Sequence, residues 1–207
     1  MELIVFQIIV LIFSAVIHEI SHGFMAEKLG DPTARLAGRL TLNPLKHLDP
    51  VGSVFLPLML SLVPGGIVFG WAKPVPYNPY NLKNPERGAA LIAVAGPLSN
   101  FGIAVVLSVV YRILGFVAGD TMFVFKELIG LIVIINIVLA VFNLIPIPPL
   151  DGAKVAAFLI PDSAGGFKRF FDERNPYGWI ILIILIFTGL PFLGPIVSAI
   201  AGFLLGI

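Results

Sequence analysis

The sequence predicts an all-α polytopic membrane protein with a core of three transmembrane helices, a re-entrant or β-hairpin segment, and a C-terminal helix or helical hairpin. Hydrophobic residues make up 58% of the 207 residues and charged residues only 12%, with a mean hydropathy of +1.01. Several apolar runs are also long enough to cross a bilayer at about 1.5 Å per residue. We therefore expect a single membrane-embedded domain over 1–207, with its core in 1–160.

The first apolar segment covers residues 3 to about 28 and is long enough to span the membrane as a helix. It follows Met1-Glu2 without a basic leader and has no small-x-small cleavage site before His18, so we expect it to be retained. The next apolar stretch, 51–70, is interrupted by prolines and glycines. These breakers favour a segment that enters and leaves the membrane on the same side.

Two clear spans follow, at about 87–114 and 123–144. The second leads into the proline-rich stretch 143–152, which has to unwind the helix, and a short helix is expected at 153–160. The last apolar block, 177–207, is interrupted by glycines and prolines. The pattern leaves open whether this block is one kinked span or a helical hairpin.

The motif His18-Glu19-Ile20-Ser21-His22 lies near the end of the first apolar segment. Residues four apart share one face of a helix, so the two histidines can offer imidazole nitrogens to one metal ion. Glu19 lies beside the first histidine, where it can take a proton from a metal-activated water. This H-E-x-x-H arrangement is typical of zinc hydrolases. Chance is the alternative, but ionisable side chains in a span destined for lipid indicate a function.

The composition excludes several other kinds of site. The chain has no cysteine, so disulfides, thiolate ligands and a cysteine nucleophile are all excluded. A net charge of +1 gives no reason to expect nucleic acid as a partner. A metzincin would have glycine and histidine where this chain has Met25 and Lys28. His47 is the only other histidine, and we expect it in an interfacial turn.

A catalytic zinc site needs a third protein ligand and an open position for water. Asp151 is the strongest candidate, because it follows a proline-broken helix end in a long apolar context. Unwound backbone at membrane depth is tolerated only where it is buried in protein or lines a polar cavity. The alternative is that Asp151 only caps the short helix that follows it.

This choice of ligands constrains the topology. His22 and Asp151 each lie near the exit of their span, so the first span and the 123–144 span have to run parallel to bind one ion. An even number of crossings then separates the two spans, which again makes 51–70 re-entrant.

The distribution of positive charge supports the same topology. With 51–70 re-entrant, all thirteen Lys and Arg residues except Arg112 and Lys126 lie on one side of the membrane, which makes eleven. The positive-inside rule places that side, and with it the catalytic end, toward the cytoplasm.

Three motifs together resemble the site-2 protease family of intramembrane zinc metalloproteases. They are the H-E-x-x-H motif at 18–22, Gly96-Pro97-Leu98-Ser99-Asn100, and the stretch 143–152, which begins with Asn143 and ends with Asp151-Gly152. The similarity covers about 8–160 and is closest to the short bacterial or archaeal branch. It implies a multi-pass protein of a prokaryotic cell membrane.

The resemblance implies regulated cleavage of a transmembrane protein substrate, within or beside its membrane-spanning segment. His18, His22 and Asp151 would hold one zinc ion per chain, and Glu19 would activate water. Asn143 would lie near the scissile carbonyl, as an oxyanion donor or alternatively as a cap on broken backbone. The segment 67–80 would be a hairpin that holds unwound substrate.

Asn100 is assigned to substrate binding together with Asn143. Its alternative is a hydrogen bond across helices to Asn136, at a contact that Gly96 allows to be close. The partners expected are the substrate and the lipid bilayer, without nucleic acid, and the sequence leaves the oligomeric state open.

Two other functions compete with the protease interpretation. Buried His, Glu and Asp also mark proton or metal pathways, so a transporter is the main alternative. No inverted repeat is visible, however, and the ionisable groups form one cluster instead of a chain. A metal-binding scaffold without catalysis is the second alternative, and the presence of Glu19 argues against it.

Overall fold

The computed structural model describes residues 2–55, 59, 72–117, 122–172, 175–188 and 191–207. Within these ranges the chain forms helices and contains no strand. The helices are α1 (Glu2–Lys28), α2 (Thr33–Leu36), α3 (Pro85–Val117), α4 (Phe123–Asn143), α5 (Asp151–Leu159), α6 (Gly165–Lys168), α7 (Pro176–Phe187) and α8 (Leu193–Leu205). A π-helical turn occupies Pro50–Phe55, and 3₁₀ turns occupy Pro44–Lys46, Pro79–Asn81, Asp162–Ala164 and Arg169–Phe171.

Helices α1, α3 and α4 are long and apolar enough to cross a membrane, with mean hydropathies of 2.4, 2.0 and 2.4 in their most apolar windows. The three predicted spans and the all-α class are therefore confirmed. Each of these three helices begins and ends within two residues of its predicted bounds, except that α3 ends at Val117, three residues beyond the predicted end at 114.

Polar contacts fix the relative direction of the three spans. Asn100 of α3 contacts Ser14 of α1, and Ile92 lies beside His22, so α1 and α3 run antiparallel. Asn136 of α4 contacts Ser14, while Asp151, beyond the end of α4, contacts His22. Helices α1 and α4 therefore run parallel, which confirms the arrangement deduced from the expected ligands.

Prolines end α4 and set the direction of α5. Pro146, Pro148 and Pro149 follow the last helical residue, Asn143, and none of them can donate a backbone hydrogen bond. The chain turns there and α5 begins at Asp151. A side chain at Gly152 would place its Cβ 2.2 Å from the Leu144 carbonyl oxygen, so this tight return requires glycine.

The C-terminal block forms two short helices that follow one direction across the bundle. Helix α7 begins beside the proline turn, where Gly178 packs against Pro148. Helix α8 packs on α3 and α4 and ends where Arg112 donates to the carbonyl of Leu204 at 2.7 Å. Because Arg112 lies near the end of α3 that is remote from the proline turn, α7 and α8 form one interrupted span. A helical hairpin would have returned α8 to the proline turn.

Most of the predicted re-entrant segment 51–70 lies outside the described residues. Only 51–55 and Met59 of this segment are described. The predicted hairpin 67–80 is described from residue 72. There, 72–78 forms neither helix nor strand, and it leads through Asn78, which has an extended backbone, into the 3₁₀ turn Pro79–Asn81.

Asp31 ties this stretch to the end of α1. Its carboxylate is fully buried and accepts hydrogen bonds from Thr33 N and Oγ1, from Asn78 N at 2.6 Å and from Asn81 Nδ2 at 2.7 Å. Burial raises the pKa of Asp31, but these hydrogen bonds outweigh it and bring the pKa below its ordinary value. The charged form of Asp31 therefore stabilises the fold.

We expect Asp31→Asn to lower the thermal midpoint of the detergent-solubilised protein by several degrees at pH 7. The single oxygen of an amide cannot accept all four hydrogen bonds, and the amide NH₂ group would face the N–H and O–H groups that now donate to the carboxylate. Because the pKa is depressed in the fold, the stabilisation is present above the unfolded value of about 3.9 and is lost as the pH falls through the folded value. The midpoints of the variant and the unmodified protein should converge below about pH 4; a constant difference would contradict this account.

Candidate metal centre

Two imidazole rings on one face of α1 form the base of the centre. The ring centroids of His18 and His22 lie 4.6 Å apart, with the rings nearly perpendicular. His18 Nδ1 lies 2.7 Å from Asn100 Oδ1, and His22 Nδ1 lies 2.6 Å from the Ile92 carbonyl oxygen. Both partners are acceptors, so each Nδ1 carries the proton and each Nε2 has a free lone pair.

The free nitrogens converge on a carboxylate. Asp151 Oδ2 lies 3.1 Å from His18 Nε2 and 3.2 Å from His22 Nε2. With both rings neutral, three hydrogen-bond acceptors therefore meet in a largely buried place with no proton among them. Such an arrangement is repulsive unless a cation lies between the three atoms.

Zinc fits this donor set. Metal–ligand bonds of about 2.0–2.2 Å in a tetrahedral site place neighbouring ligand atoms roughly 3.3 Å apart, close to the distances between Asp151 and the two rings. Two imidazoles and one carboxylate are also the ligands of a known class of catalytic zinc site, which leaves a fourth position open. The hydrogen bonds on Nδ1 supply the outer support that such ligands require.

Glu19 completes the group. One of its carboxylate oxygens lies within 4.8 Å of ligand nitrogens from both histidines. Its Oε2 accepts a hydrogen bond from Val75 N at 2.9 Å, so the side chain is held from outside α1. Glu19 thus lies beside the converging nitrogens without joining their closest contacts, which suits a group that handles protons next to a metal.

Gly96 leaves the space in which the two rings lie. A Cβ at this position would approach His22 Nε2 and Cε1 to 2.5 Å and His18 Cε1 to 2.6 Å. Pro97 follows in α3 and removes a helical N–H donor in this part of the helix. The Ile92 carbonyl lies one turn before Gly96 and accepts a hydrogen bond from His22 Nδ1.

A buried polar chain supports His18 from inside the bundle. Asn100 Nδ2 donates to Asn136 Oδ1 at 2.9 Å and to the Ser14 carbonyl at 3.2 Å, and Asn136 Nδ2 donates to Ser14 Oγ at 3.0 Å. Both asparagines are fully buried. The donors and acceptors alternate in one direction, which aims the Asn100 oxygen, and not its NH₂ group, at His18.

Asn100 makes the hydrogen bond across helices to Asn136 that was its alternative role. It is fully buried, and its amide contacts His18, Asn136 and Ser14. Asn100 therefore acts on the centre through His18.

The structure does not bring Asn143 into the described polar contacts of the centre. Its Nδ2 donates to the Leu139 carbonyl in its own helix, at 2.9 Å. His47 lies elsewhere too, buried in the connection after α2, with Nε2 2.9 Å from the Thr41 carbonyl oxygen.

Comparison with known proteins identifies the family. The model of peptidase family M50 matches residues 112–187. YwhC of Bacillus subtilis, which its name assigns to the zinc metalloproteases, is 35% identical over 194 residues, covering 92% of this chain and 84% of YwhC. This chain belongs to peptidase family M50. It is a zinc metallopeptidase and a multi-pass membrane protein, since its three apolar helices accompany the family assignment.

Other M50 relatives are longer than this chain. Rip2 of Mycolicibacterium smegmatis is 30% identical over 181 residues, which cover 86% of this chain and 64% of Rip2. The zinc metalloprotease MJ0392 of Methanocaldococcus jannaschii is 26% identical over 179 residues, or 86% of this chain and 41% of MJ0392. No solved structure matches the chain.

Several groups around the M50 centre were not predicted from the sequence. They are the Ile92 carbonyl, the Val75 N–H and the Ser14 side chain. The first two are backbone groups, and the type of a residue does not indicate what its backbone groups contact. Ser14 did carry one, because a small polar residue four positions before His18 falls on the same helical face as the two histidines.

We expect Gly96→Ala to weaken zinc binding to this M50 peptidase by at least about tenfold, because the new methyl group has to displace both imidazoles. Gly102→Ala in the same helix is the matched control, since a Cβ there meets nothing within 4 Å. Zinc dissociation constants from chelator competition would measure both effects. Equal affinity in the two variants would show that the rings do not depend on this space.

We expect Asn100→Leu to reduce zinc affinity by about 10- to 100-fold, as loss of an outer partner of a histidine ligand does elsewhere. Asn100→Asp keeps an acceptor for His18 Nδ1 but loses the donors to Asn136 and Ser14, so it should retain more of the affinity than Asn100→Leu. The same chelator competition compares the two. If both variants lost affinity equally, packing at Asn100 and not its acceptor oxygen would support His18.

Proposed function

We propose that this protein is an intramembrane zinc metalloprotease, which cleaves peptide bonds within or beside the transmembrane segments of other membrane proteins. One observation carries the proposal: two imidazole nitrogens each lie within 3.2 Å of the same carboxylate oxygen, inside a bundle of helices that are long and apolar enough to cross the membrane. His18 lies ten residues before the end of α1, which is about 15 Å along the helix axis. The peptide bond has to reach that depth.

His18, His22 and Asp151 are the proposed ligands of a single zinc ion. When bound, zinc polarises the peptide carbonyl and lowers the pKa of a water molecule toward about 7. The three ligand side chains come from α1 and from the start of α5, so their geometry depends on the parallel packing of α1 and α4. The surrounding apolar side chains strengthen each of these electrostatic interactions.

Glu19 is the proposed general base. Its carboxylate takes a proton from the attacking water as the new C–O bond forms, and it then gives that proton to the amine nitrogen as the C–N bond breaks. One carboxylate therefore serves both halves of the hydrolysis, and the proton count balances. The hydrogen bond from Val75 N leaves its other oxygen available for water.

Asn143 is the proposed donor to the oxygen that gains negative charge during attack. It is the last residue of α4 and lies eight residues before Asp151 in the chain. Its Nδ2 would exchange the hydrogen bond with Leu139 for one with substrate. This exchange requires only a rotation of the Asn143 side chain.

The substrate has to lose its helical hydrogen bonds before attack, because a helix shields its carbonyls. We propose that the segment 67–80 holds the unwound substrate by extended backbone pairing, which compensates the freed groups. Residues 72–78 form neither helix nor strand of their own, which suits this role. Substrates of this kind make the reaction a step of regulated intramembrane proteolysis.

The charge distribution supports a catalytic end that faces the cytoplasm of a bacterial or archaeal cell. In the proposed topology, with 51–70 re-entrant, eleven of the thirteen Lys and Arg residues are on the side of the centre, all except Arg112 and Lys126. Arg112 contacts the end of α8 and Lys126 lies over the Tyr111 ring, both remote from the centre. The proposed location is the cell membrane.

We expect Glu19→Gln to retain zinc and to cut a model transmembrane substrate at least about 10²-fold more slowly than the unmodified protein. Purified proteins in proteoliposomes, with cleavage followed by mass spectrometry, would measure this. Glu127→Gln, which changes an exposed carboxylate of α4, is the matched control and should cut normally. Equal cleavage by Glu19→Gln and unmodified protein, or absence of bound zinc, would end the proposal.

A further inference from the structure

Among the described residues outside the metal centre, three carboxylate, guanidinium or imidazole side chains are buried and have no role in the chemistry above. They are Asp31, Arg39 and His47, which are 0%, 8% and 2% exposed. All three lie in the connection that follows α1. Burial of charged groups is costly unless each is paired, so their positions indicate a structural task.

All three residues hold one segment, which we call the strap and define as residues 73–78. Arg39 Nη2 donates to the Lys73 carbonyl at 2.7 Å, and Lys73 N donates to the backbone carbonyl of His47 at 2.8 Å. At the other end, Asn78 N donates to Asp31 Oδ2 at 2.6 Å. The strap is therefore fixed at both of its ends.

The middle of the strap offers a single donor. Pro74 and Pro76 have no N–H group, so in the Pro74-Val75-Pro76 tripeptide only Val75 can donate from the backbone. That N–H group donates to Glu19 Oε2 at 2.9 Å. The prolines also restrict the backbone to extended conformations, which limits the directions in which the donor can point.

We propose that the strap is the element that positions Glu19, with Val75 as the contact and with Asp31 and Arg39 as its two anchors. A free glutamate side chain has several rotamers, and only some bring its carboxylate to the water. The Val75 N–H group selects one position and leaves the second oxygen free. Val75, Asp31 and Arg39 are thus positioning residues, and this inference rests on the proposed role of Glu19 as base.

Val75→Pro tests the contact, because it removes the N–H group and continues an extended proline run. Val75→Ala is the matched control, since it shortens the side chain and keeps the donor. We expect Val75→Pro to lower kcat by at least about tenfold with unchanged zinc affinity, and Val75→Ala, which keeps the N–H group, to retain a kcat at least about fivefold above that of Val75→Pro. Equal kcat in the two variants would overturn the inference, and so would a change confined to KM.

A double variant separates positioning from general damage. If the strap acts through Glu19, Val75→Pro should leave the residual rate of Glu19→Gln unchanged within about twofold. A further tenfold loss in that background would overturn the inference. If Glu19→Gln alone kept the full rate, the proposed function would fail instead, so the two failures are distinguishable.

Arg39 provides the second test and decides the matter if Val75→Pro fails to fold. Arg39→Met removes the donor to the Lys73 carbonyl, and Arg39→Lys retains a cation that can donate there. We expect the methionine variant to lose kcat at unchanged zinc affinity, and the lysine variant to recover at least part of it. If the methionine variant kept the kcat of the unmodified protein, or if the lysine variant recovered none of the loss, the inference would be overturned.

Discussion

The centre depends on two hydrogen bonds that fix where the imidazole protons reside. Asn100 Oδ1 and the Ile92 carbonyl both accept from Nδ1, so both Nε2 lone pairs face Asp151. Without a cation this convergence of acceptors would be unfavourable in an apolar bundle. A metal ion between the three groups would relieve this repulsion, because His18, His22 and Asp151 already converge on one point. The convergence of acceptors that would favour a bound metal ion is therefore the same feature that is unfavourable without a cation.

The bundle has to supply these partners without exposing polar groups to lipid. It does so through side chains that reach between spans, so the hydrogen bonds of the centre also hold α1, α3 and α4 together. Gly96 allows α3 to approach α1 at the level of the two rings. Outside the spans, the connection after α1 uses buried charged residues to hold the strap over Glu19. The candidate metal centre, the helix packing and the position of Glu19 are thus coupled in one structure.

Sequence reasoning reached the parts of this structure that depend on chain-local patterns. Apolar length predicted the three spans, H-E-x-x-H placed two histidines on one helical face, and the proline break singled out Asp151. The ligand hypothesis also required α1 and α4 to be parallel, as the structure has them. The sequence left the role of Asn100 open, because residue type shows that an amide is present but not whether it faces substrate or a neighbouring helix. That distinction depends on how each helix is rotated about its axis, and one residue changes the direction by about 100°.

The strap contact could not be predicted from the sequence for a different reason, since Val75 acts through its backbone. The 177–207 block stayed undecided because a glycine or proline break marks an interruption but not the direction of the next helix.

An anomalous difference map collected at the zinc absorption edge would test the central claim most directly. The account predicts one peak per chain, within about 2.0–2.2 Å of His18 Nε2, His22 Nε2 and an oxygen of Asp151, with Glu19 outside the first coordination sphere. A peak that Glu19 coordinates in place of Asp151, or a crystal of active protein without a peak among these side chains, would contradict it.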